Sequence, residues 1–454
     1  MIRKLLRRVF NHRAASLSAP TEPARIPVSQ HGILREQVSA GAVKVCATLQ
    51  DRGYQAYIVG GAIRDLLIGH LPKDYDVATS ATPEEVRALF RRSRIIGRRF
   101  KIVHVLNGLE TIEVSTFRAA QNAETDQHGR VLADNSYGSQ AEDAIRRDFT
   151  VNALYYDPLT ETIVDYHHGV ADLQQKTLRV IGEPRARYRE DPVRMLRAVR
   201  LAAKLGLIID PAARAPIRDM AILLENVPTA RLFDETLKLL MSGNAVRCIS
   251  QLREEGLHHG LLPLLDIILD QPIAERFIWL ALENTDSRVR ADKSVSPGFL
   301  FAALLWPELS RTWKERQAAG EASHPALFDA MDEVLAAQAQ RLAITRRVAG
   351  DIKELWGLQS RFDKRTGRAP YRLIEHPKFR ASWDFLLLRA QAGGIPEDLP
   401  DWWHRFAHAG QSEREELLRA ASANGVKAPA RKRRRSRRKS AEPKTAVPEL
   451  VPAP

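Results

Sequence analysis

The chain has 454 residues, of which 44% are hydrophobic and 27% charged, a composition typical of globular proteins. Two cysteines, Cys46 and Cys248, are too few for a disulfide framework or a thiolate zinc site, and they favour the reducing cytoplasm. No apolar run approaches the roughly 20 residues that span a bilayer, and the start, MIRKLLRRVF, lacks the pattern of a secretory signal.

The net charge of +14 is concentrated at the two ends of the chain. Residues 1–13 carry five positive charges, and residues 431–440 carry eight without a negative one. A block of like charge repels itself into an extended arm that binds polyanions, so we predict RNA contacts for it, with a solubility tail as the alternative. The predicted RNA-binding residues of the arm are Arg431, Lys432, Arg433, Arg434, Arg435, Arg437, Arg438 and Lys439. For the N-terminal segment a frayed end is expected, and weak peripheral membrane contact stays open.

The elements that follow alternate between strand and helix patterns. Residues 1–35 are expected to be a basic segment and a linker. Strands are predicted at 54–60, 74–78, 101–106, 111–117, 162–166 and 177–181, and helices at 61–68 and 83–92, the second capped by Thr82 with Pro83 in its first turn. Asn107-Gly108 is the predicted turn of a hairpin. From residue 187 to about 422 the patterns are almost only helical, so an α/β unit with a mixed sheet should precede an all-α region.

A carboxylate pair stands out within the α/β unit. Asp74 and Asp76 are two residues apart in a strand pattern, so their side chains share a face. Two close carboxylates repel each other unless a cation lies between them, and Mg²⁺ uses such ligands together with water and substrate phosphates. A solvated strand end is the alternative reading of this short motif.

Two neighbouring features make the metal interpretation more specific. Gly60 and Gly61 separate a strand from a helix, where backbone N–H groups approach a phosphate closely and Arg64 could reach it. A tight turn is the simpler explanation of the two glycines alone. Further along, the alternation of residues 111–117 turns Glu113 away from Ile112 and Val114, so it could supply a third carboxylate.

Five ordered segments, GGAIRDLL, KDYDVAT, TIEVSTFR, RRDFTVNAL and YREDPVRMLRAVRLA, resemble the nucleotidyltransferases of the polymerase-β-like superfamily. The resemblance is to the class II branch, which holds CCA-adding enzymes and bacterial poly(A) polymerases, and it covers residues 53–206. It implies a nucleotidyltransferase head at 36–184, a helical neck at 185–260 that binds the base and RNA, and a helical body at 261–425. The tail at 426–454 is rich in Pro, Ala and basic residues and is expected to be disordered.

The resemblance also implies roles for individual residues. Asp74 and Asp76 match the ligands of two Mg²⁺ ions, with Mn²⁺ as an alternative, and Glu113 matches a third catalytic acid. Asp191 and Arg194, taken to lie on one helical face, match the pair that reads the incoming base. The remaining residues implied to bind the nucleotide are Gly60, Gly61, Arg64, Arg118, Arg146, Arg147, Asp148, Asn152 and Arg197. From the residues alone, Asp191 is a good helix N-cap, and Arg194, Arg197, Arg200 and Lys204 fit a solvated stripe.

The implied reaction is transfer of AMP from ATP to an RNA 3′ hydroxyl with release of pyrophosphate. Residues 95–105, IIGRRFKIVHV, resemble the signature of the poly(A) polymerase branch, and Arg98, Arg99 and Lys101 in it are predicted to bind RNA. A CCA-adding enzyme is the first alternative and a non-catalytic RNA-binding relative the second. A cytoplasmic monomer is expected, with RNA-decay or RNA-chaperone proteins as further partners.

Overall fold

The computed structural model describes residues 22–97, 101–119, 124–125, 131–133, 136–257, 272–339 and 343–424. The predicted basic tail at 426–454, Arg98, Arg99 and the first 21 residues lie outside these ranges.

The head is built on an eight-stranded mixed sheet. The strands of the described chain are β1 (Ala24–Pro27), β2 (Ala56–Val59), β3 (Asp76–Thr79), β4 (Ser93–Ile96), β5 (Ile102–Asn107), β6 (Glu110–Thr116), β7 (Glu124–Thr125), β8 (Val131–Ala133), β9 (Leu154–Asp157), β10 (Thr162–Asp165), β11 (Thr177–Leu178) and β12 (Ile208–Ile209). The sheet order is β1-β10-β9-β2-β3-β6-β5-β4. Within this sheet β3 and β6 pair in parallel, while the other neighbouring strands are antiparallel.

Helices and short 3-10 turns connect the strands of the head. They are α1 (Val28–His31), α2 (Ala40–Gln50), α3 (Gly61–Leu67), α4 (Pro83–Leu89), α5 (Gln140–Arg146) and α6 (Gly169–Gln174), with 3-10 turns at Arg35–Gln37 and Thr150–Asn152. At the start of α4 the Thr82 hydroxyl accepts from the Glu85 N–H, and the Glu85 carboxylate accepts from the Thr82 N–H. This capping box satisfies N–H groups that have no partner inside the helix, and it confirms the predicted cap.

One face of the sheet is covered, and the other is open at Asp76 on β3 and along β6 and β5, although Ala78 on that second face is completely buried. Helices α2 and α4 pack on the covered face, where Val77, Val103 and Val114 are almost completely buried. Each such side chain contributes about 1.5–3 kcal/mol to folding. Because side chains alternate along a strand, the residues between them, including Asp76 and Glu113, face away from this core.

The rest of the described chain is helical apart from short strands. The helices are α7 (Pro184–Glu190), α8 (Val193–Leu205), α9 (Pro211–Arg214), α10 (Ile217–Met220), α11 (Thr229–Leu240), α12 (Ala245–Glu254), α13 (Pro272–Arg290), α14 (Pro297–Ala318), α15 (Ser323–Ala339), α16 (Arg346–Gln359), α17 (Ala369–Ile374), α18 (Phe379–Gln391), α19 (Asp398–His408) and α20 (Gln411–Asn424), with a 3-10 helix at Ala221–Asn226. The predicted fold class, an α/β head followed by helices, is confirmed.

Three details of the head differ from the prediction. Residues Ala24–Pro27, expected in a linker, form the edge strand β1, which pairs with β10 through its backbone and needs no apolar pattern. Strand β4, Ser93–Ile96, occupies residues for which no element is predicted, and the helix before it ends at Leu89 rather than at residue 92. Strand β9 was missed since Leu154, Tyr155 and Tyr156 are all buried and therefore show no alternation.

Both cysteines are completely buried free thiols, Cys46 on α2 and Cys248 on α12. Burial raises the pKa of Cys248 to about 11 and that of Cys46 further. Across the described ranges, no helix combines the length and the apolar character needed to cross a membrane.

Candidate active site

The two aspartates of the DxD motif lie on one side of the chain where it enters β3. Strand β3 begins at Asp76, two residues later than predicted, but the alternation starts before it: Asp74 and Asp76 are exposed and Tyr75 is buried. The Tyr75 hydroxyl donates to the carbonyl oxygen of Gln37 at 3.2 Å. Anchoring Tyr75 in the core therefore directs both carboxylates to the open side.

A third carboxylate lies beside them on the neighbouring strand. In the parallel pairing of β3 with β6, Glu113 is the register partner of Asp76. Adjacent strands are about 4.8 Å apart, so the two side chains stand next to each other on the open face. On the far side of Glu113, its partner on β5 is His104, whose Nε2 lies 3.1 Å from Glu113 Oε1. This register puts Glu113 beside Asp76, where a third carboxylate was predicted from the alternation of residues 111–117; the contact with His104 was not predicted.

The electrostatics of this cluster suit a cation. The pKa of Asp76 is raised to about 6: partial removal from water inside the cleft is the largest cause, the carboxylates of Glu113 and Asp74 add to it, and Arg147 opposes it. Among the residues that the structure describes, the carboxylates of Asp74 and Asp76 have no hydrogen bond or ion pair. No group of three metal-ligating side chains converges in those ranges. Mg²⁺ is commonly held by one or two carboxylates, with water and substrate phosphates completing its shell, so this donor set fits it.

The glycine turn between β2 and α3 forms the floor beside the carboxylates. Gly60 has φ +72° and ψ −127°, a conformation that side chains disfavour. A Cβ atom there would lie 3.4 Å from Arg147 Nη1. Arg64, predicted to bind phosphate, is buried; it donates to Asp65 Oδ1 at 2.6 and 2.8 Å and to Asn152 Oδ1 at 2.5 Å. In this structure Arg64 therefore stabilises the turn at Gly60 and Gly61 through hydrogen bonds.

A line of polar contacts runs from this turn to α8. The Asn152 side-chain amide donates to Asp148 Oδ1 at 3.0 Å, and Arg197 on α8 donates to Asp148 Oδ2 at 2.8 and 2.5 Å. Burial alone would raise the pKa of Asp148, but Arg197, Asn152 and the N–H of Phe149 hold it well below its usual range. The buried carboxylate stays ionised and joins the head to the helical region.

Arg147 has its own set of partners. It donates to Asp143 Oδ2 at 3.1 and 3.2 Å, to the Tyr155 hydroxyl at 2.9 Å and to the carbonyl oxygen of Asn152 at 3.2 Å. Burial alone would lower the pKa of Arg147, but Tyr155 and Asp143 raise it above its ordinary value. The neighbouring Arg146 donates to the carbonyl oxygen of Ala119 at 2.8 Å.

Helix α8 presents a basic wall opposite the glycine turn. Arg194, Arg197, Arg200 and Lys204 all line the cleft, and the Arg200 side chain is only 15% exposed. Burial lowers the pKa of both Arg200 and Lys204. The alternative of a solvated stripe is therefore wrong for these residues.

The two residues expected to read the base do not share a helical face. Helix α8 starts at Val193, and Asp191 precedes it in extended backbone with φ −150°. Asp191 Oδ2 accepts from Arg231 of α11 at 2.6 Å, and Arg194 Nη1 lies 3.0 Å from Glu190 Oε2. The Asp191 carboxylate also accepts from the N–H of Val193 at 3.3 Å, so part of the capping interpretation holds.

These groups surround a cleft of about 870 Å³ between the head and the helical region. The predicted residues that line it are Gly60, Gly61, Arg64, Asp74, Asp76, Arg146, Arg147, Asp148, Asn152, Asp191, Arg194 and Arg197. Glu113 stands beside it in register with Asp76. The Arg118 backbone N–H lies 3.4 Å from Asp143 Oδ1, the carboxylate that also accepts from Arg147. Lys101 does not line the cleft; its ammonium lies 3.0 Å from Glu84 on α4.

Sequence reasoning missed several contributors from α11. Lys238 lines the cleft, and its ammonium lies 3.1 Å from the buried Glu235, which also lies 3.8 Å from Arg197 and 3.7 Å from Arg200. The available signal was Glu235 itself, an acid among the apolar positions of an amphipathic helix.

Comparison with known proteins supports the same interpretation. Residues 56–179 match the family model of the poly A polymerase head domain, residues 206–269 that of the probable RNA and SrmB-binding site of polymerase A, and residues 319–440 that of the polymerase A arginine-rich C-terminus. Poly(A) polymerase I of Salmonella typhi is 44% identical over 456 residues, which cover 97% of each chain.

CCA-adding enzymes match less of the chain. That of Geobacillus sp. is 36% identical over 247 residues, 54% of this chain and 60% of its own length. The solved structure of a tRNA-processing enzyme in an apo form aligns with a TM-score of 0.54 at 22% identity, covering 83% of this chain and 99% of the other, and shows a shared fold. The identity along nearly the whole chain places it in the bacterial poly(A) polymerase family, nucleotidyltransferases that add adenylate to RNA.

Proposed function

We propose that the cleft catalyses template-independent transfer of AMP from ATP to the 3′ hydroxyl of RNA. The hydroxyl oxygen bonds to the α-phosphorus, the bond to the β-phosphate oxygen breaks, and pyrophosphate leaves as the hydroxyl proton is released. The observation that carries this proposal is the register of Asp76 with Glu113 at the edge of a basic cleft. Membership of the nucleotidyltransferase family implies dependence on a divalent cation.

The acidic side would hold that cation. Asp74 and Asp76 are the proposed ligands of two Mg²⁺ ions, or of Mn²⁺, and Glu113 is the proposed third acid. When bound, the metal would neutralise charge on the triphosphate and lower the pKa of the RNA 3′ hydroxyl, whose oxygen is the nucleophile. The contribution of the chain is to keep three carboxylates on one open face, anchored by the buried residues between them.

The basic side would hold the triphosphate. Gly60 lets the backbone approach a phosphate closely, and Arg147, Arg197 and Lys204 border the same cleft. Since Arg147 and Arg197 are already fixed by protein acceptors, little reorganisation is needed when a ligand enters. The roles proposed for Gly61, Arg64, Arg118, Arg146, Asp148 and Asn152 are to shape and support this surface.

The base would be read by Asp191 and Arg194. A carboxylate accepts from the exocyclic amine of adenine, and a guanidinium donates to a ring nitrogen. Each is already held by an oppositely charged neighbour, Asp191 by Arg231 and Arg194 by Glu190. These neighbours would fix the direction in which the pair faces the base.

The remaining predictions are kept as parts of this proposal. RNA contacts at Lys101, Arg98, Arg99 and the basic arm would be sequence-tolerant, since they recognise phosphates. The division into head, neck, body and tail, the cytoplasmic location, the monomeric state, RNA-decay or RNA-chaperone partners and weak membrane contact rest on sequence reasoning.

The test uses an unstructured RNA with a free 3′ hydroxyl, Mg²⁺ and each of the four nucleoside triphosphates in turn, with products separated on a sequencing gel. A parallel lane contains tRNA that lacks its CCA end. A long ladder with ATP alone on the plain RNA is expected. Extension of the tRNA alone, by two C and one A, would establish CCA addition instead. No product and no pyrophosphate from any combination would favour a non-catalytic RNA-binding protein.

A further inference from the structure

We propose that His104 is a positioning residue that orients the Glu113 carboxylate toward Asp76. This inference rests on the proposed role of Glu113 and extends it to the neighbouring strand.

A row of polar side chains crosses four adjacent strands at one level of the sheet. Asp76 on β3 is the register partner of Glu113 on β6, Glu113 is that of His104 on β5, and His104 is that of Arg94 on β4. Residues directly opposite each other on paired strands have side chains on the same face. The row therefore leads from a proposed metal ligand, through the third acid, to an imidazole.

The contact of His104 with Glu113 fixes one of the two carboxylate oxygens. His104 Nε2 lies 3.1 Å from Glu113 Oε1, and the side chains are 32% and 52% exposed. Within the described ranges this is the hydrogen bond that the Glu113 side chain makes. A half-exposed glutamate loses rotamer entropy when it is ordered, so a fixed partner orders the Glu113 side chain before substrate binds.

The backbones on both sides of the contact are held firmly. Val103 and Val105 flank His104 and are 1% and 3% exposed, and Ile112 and Val114 flank Glu113 at 0% and 1%. These buried residues hold the two strands against the core, so the imidazole is presented from a fixed point. Such partners of active-site carboxylates commonly affect activity by about 10- to 100-fold.

An imidazole suits this place better than a lysine or arginine would. An imidazole can donate a hydrogen bond to a carboxylate without the permanent charge of a lysine or arginine. A full positive charge beside Glu113 would compete with the cation that the acidic cluster is built to accept. The residue type thus agrees with orientation of the carboxylate rather than with its neutralisation.

The experiment compares His104→Ala, His104→Gln and His104→Asn in steady-state ATP and RNA titrations at saturating Mg²⁺. His104→Ala should lower kcat about 10-fold or more, with the KM for ATP and for RNA within about 2-fold of wild type. Glutamine carries an amide nitrogen at a reach close to that of Nε2, so His104→Gln should recover most of the loss. Asparagine is too short and should not.

Leu106→Ala is the matched control. Leu106 lies on the same strand and face, is 45% exposed, and pairs with Thr111 instead of Glu113, so this variant should keep wild-type kcat.

Three results would overturn the proposal. One is wild-type kcat in His104→Ala while Glu113→Gln is inactive. Another is a rise in the KM for RNA without a loss of kcat, which would make His104 an RNA contact. The third is an equal loss in the Ala and Gln variants with a lowered Tm, which would make its role structural. Full activity of Glu113→Gln would instead refute the proposed role of Glu113.

Discussion

The two sides of the cleft are prepared for ligands in opposite ways. On the acidic side, within the described chain, Asp74 and Asp76 have no protein partner for their carboxylates. On the basic side Arg64, Arg147 and Arg197 each donate at least two hydrogen bonds to protein acceptors. The acids are left to be completed from solution, whereas the arginines are already fixed.

This difference follows from the charges that each side must receive. Repulsion between two close carboxylates raises the free energy of the empty site. A bound cation removes this repulsion, which strengthens its binding. The guanidinium groups of the basic side are fixed by protein hydrogen bonds, so they lose less conformational entropy when they bind a flexible triphosphate. Substitutions on the acidic side should therefore lower activity alone, whereas substitutions on the basic side should lower both activity and stability.

The largest expected effect is on the acidic side. Asp76→Asn should lower kcat by at least about 10²–10³-fold, the scale lost with a single electrostatic catalytic group. Its Tm should stay at the wild-type value or rise, because the substitution removes repulsion from Glu113 and Asp74. Asp51→Asn, at an exposed position after α2, should change neither quantity. A clear drop in the Tm of Asp76→Asn would show that the aspartate supports the fold.

On the basic side we expect a loss of stability. Arg197→Ala leaves the Asp148 carboxylate, 10% exposed, without its charged partner, and such losses cost about 3–5 kcal/mol. Thermal unfolding should show a lower Tm, and activity should fall too. The double variant Arg197→Ala with Asp148→Asn should be more stable than Arg197→Ala alone. Additive effects of the two substitutions would mean that the pair is not coupled.

A smaller effect is expected at the turn between the two sides. Gly60→Ala introduces strain of about 1–3 kcal/mol at a positive φ and places a methyl group 3.4 Å from Arg147 Nη1. The KM for ATP should therefore rise together with the loss of Tm. Gly206→Ala, at φ +66° with no atom within 4 Å of the new Cβ, should lower the Tm alone. If the KM for ATP were the same in both variants, Gly60 would have no role in ATP binding.

The smallest expected effect is a loss of stability at low pH. The pKa of Asp148 is lowered in the folded protein, so its stabilisation is complete above the unfolded value of about 3.9 and is lost as the pH falls toward the folded one. The Tm difference between wild type and Asp148→Asn should be constant from about pH 8 to pH 5 and shrink toward pH 3. A difference that grows on acidification would contradict the assigned direction.

More of the acidic side of the cleft than of the basic side could be predicted from the sequence. Alternation is a local property, so the shared face of Asp74 and Asp76 and the open side of Glu113 could be predicted. The basic side depends on helices that come together in space. Lys238 of α11 lines the cleft and Arg231 of the same helix donates to Asp191, and no local pattern connects them with Asp191 or with the glycine turn.

The contact of His104 with Glu113 shows most clearly what could not be predicted from the sequence, namely the register of the hairpin. With Asn107 and Gly108 as the two central turn residues, the hairpin would pair His104 with Thr111. The observed loop instead consists of Gly108 and Leu109, since Asn107 pairs with Glu110. A slip of two residues leaves every side chain on its predicted face but changes its partner.

The buried cysteines have a practical consequence for observing this molecule. Both thiols are completely buried, and burial raises the pKa of each, so we expect slow labelling of both by maleimides at neutral pH. Cysteines introduced at Leu109, on the tip of the hairpin in the head, and at Phe328, on α15, would then be the labelled sites. The native chain thus serves directly as a background for fluorescence measurements of the distance between the head and the helical region while ATP and RNA are bound.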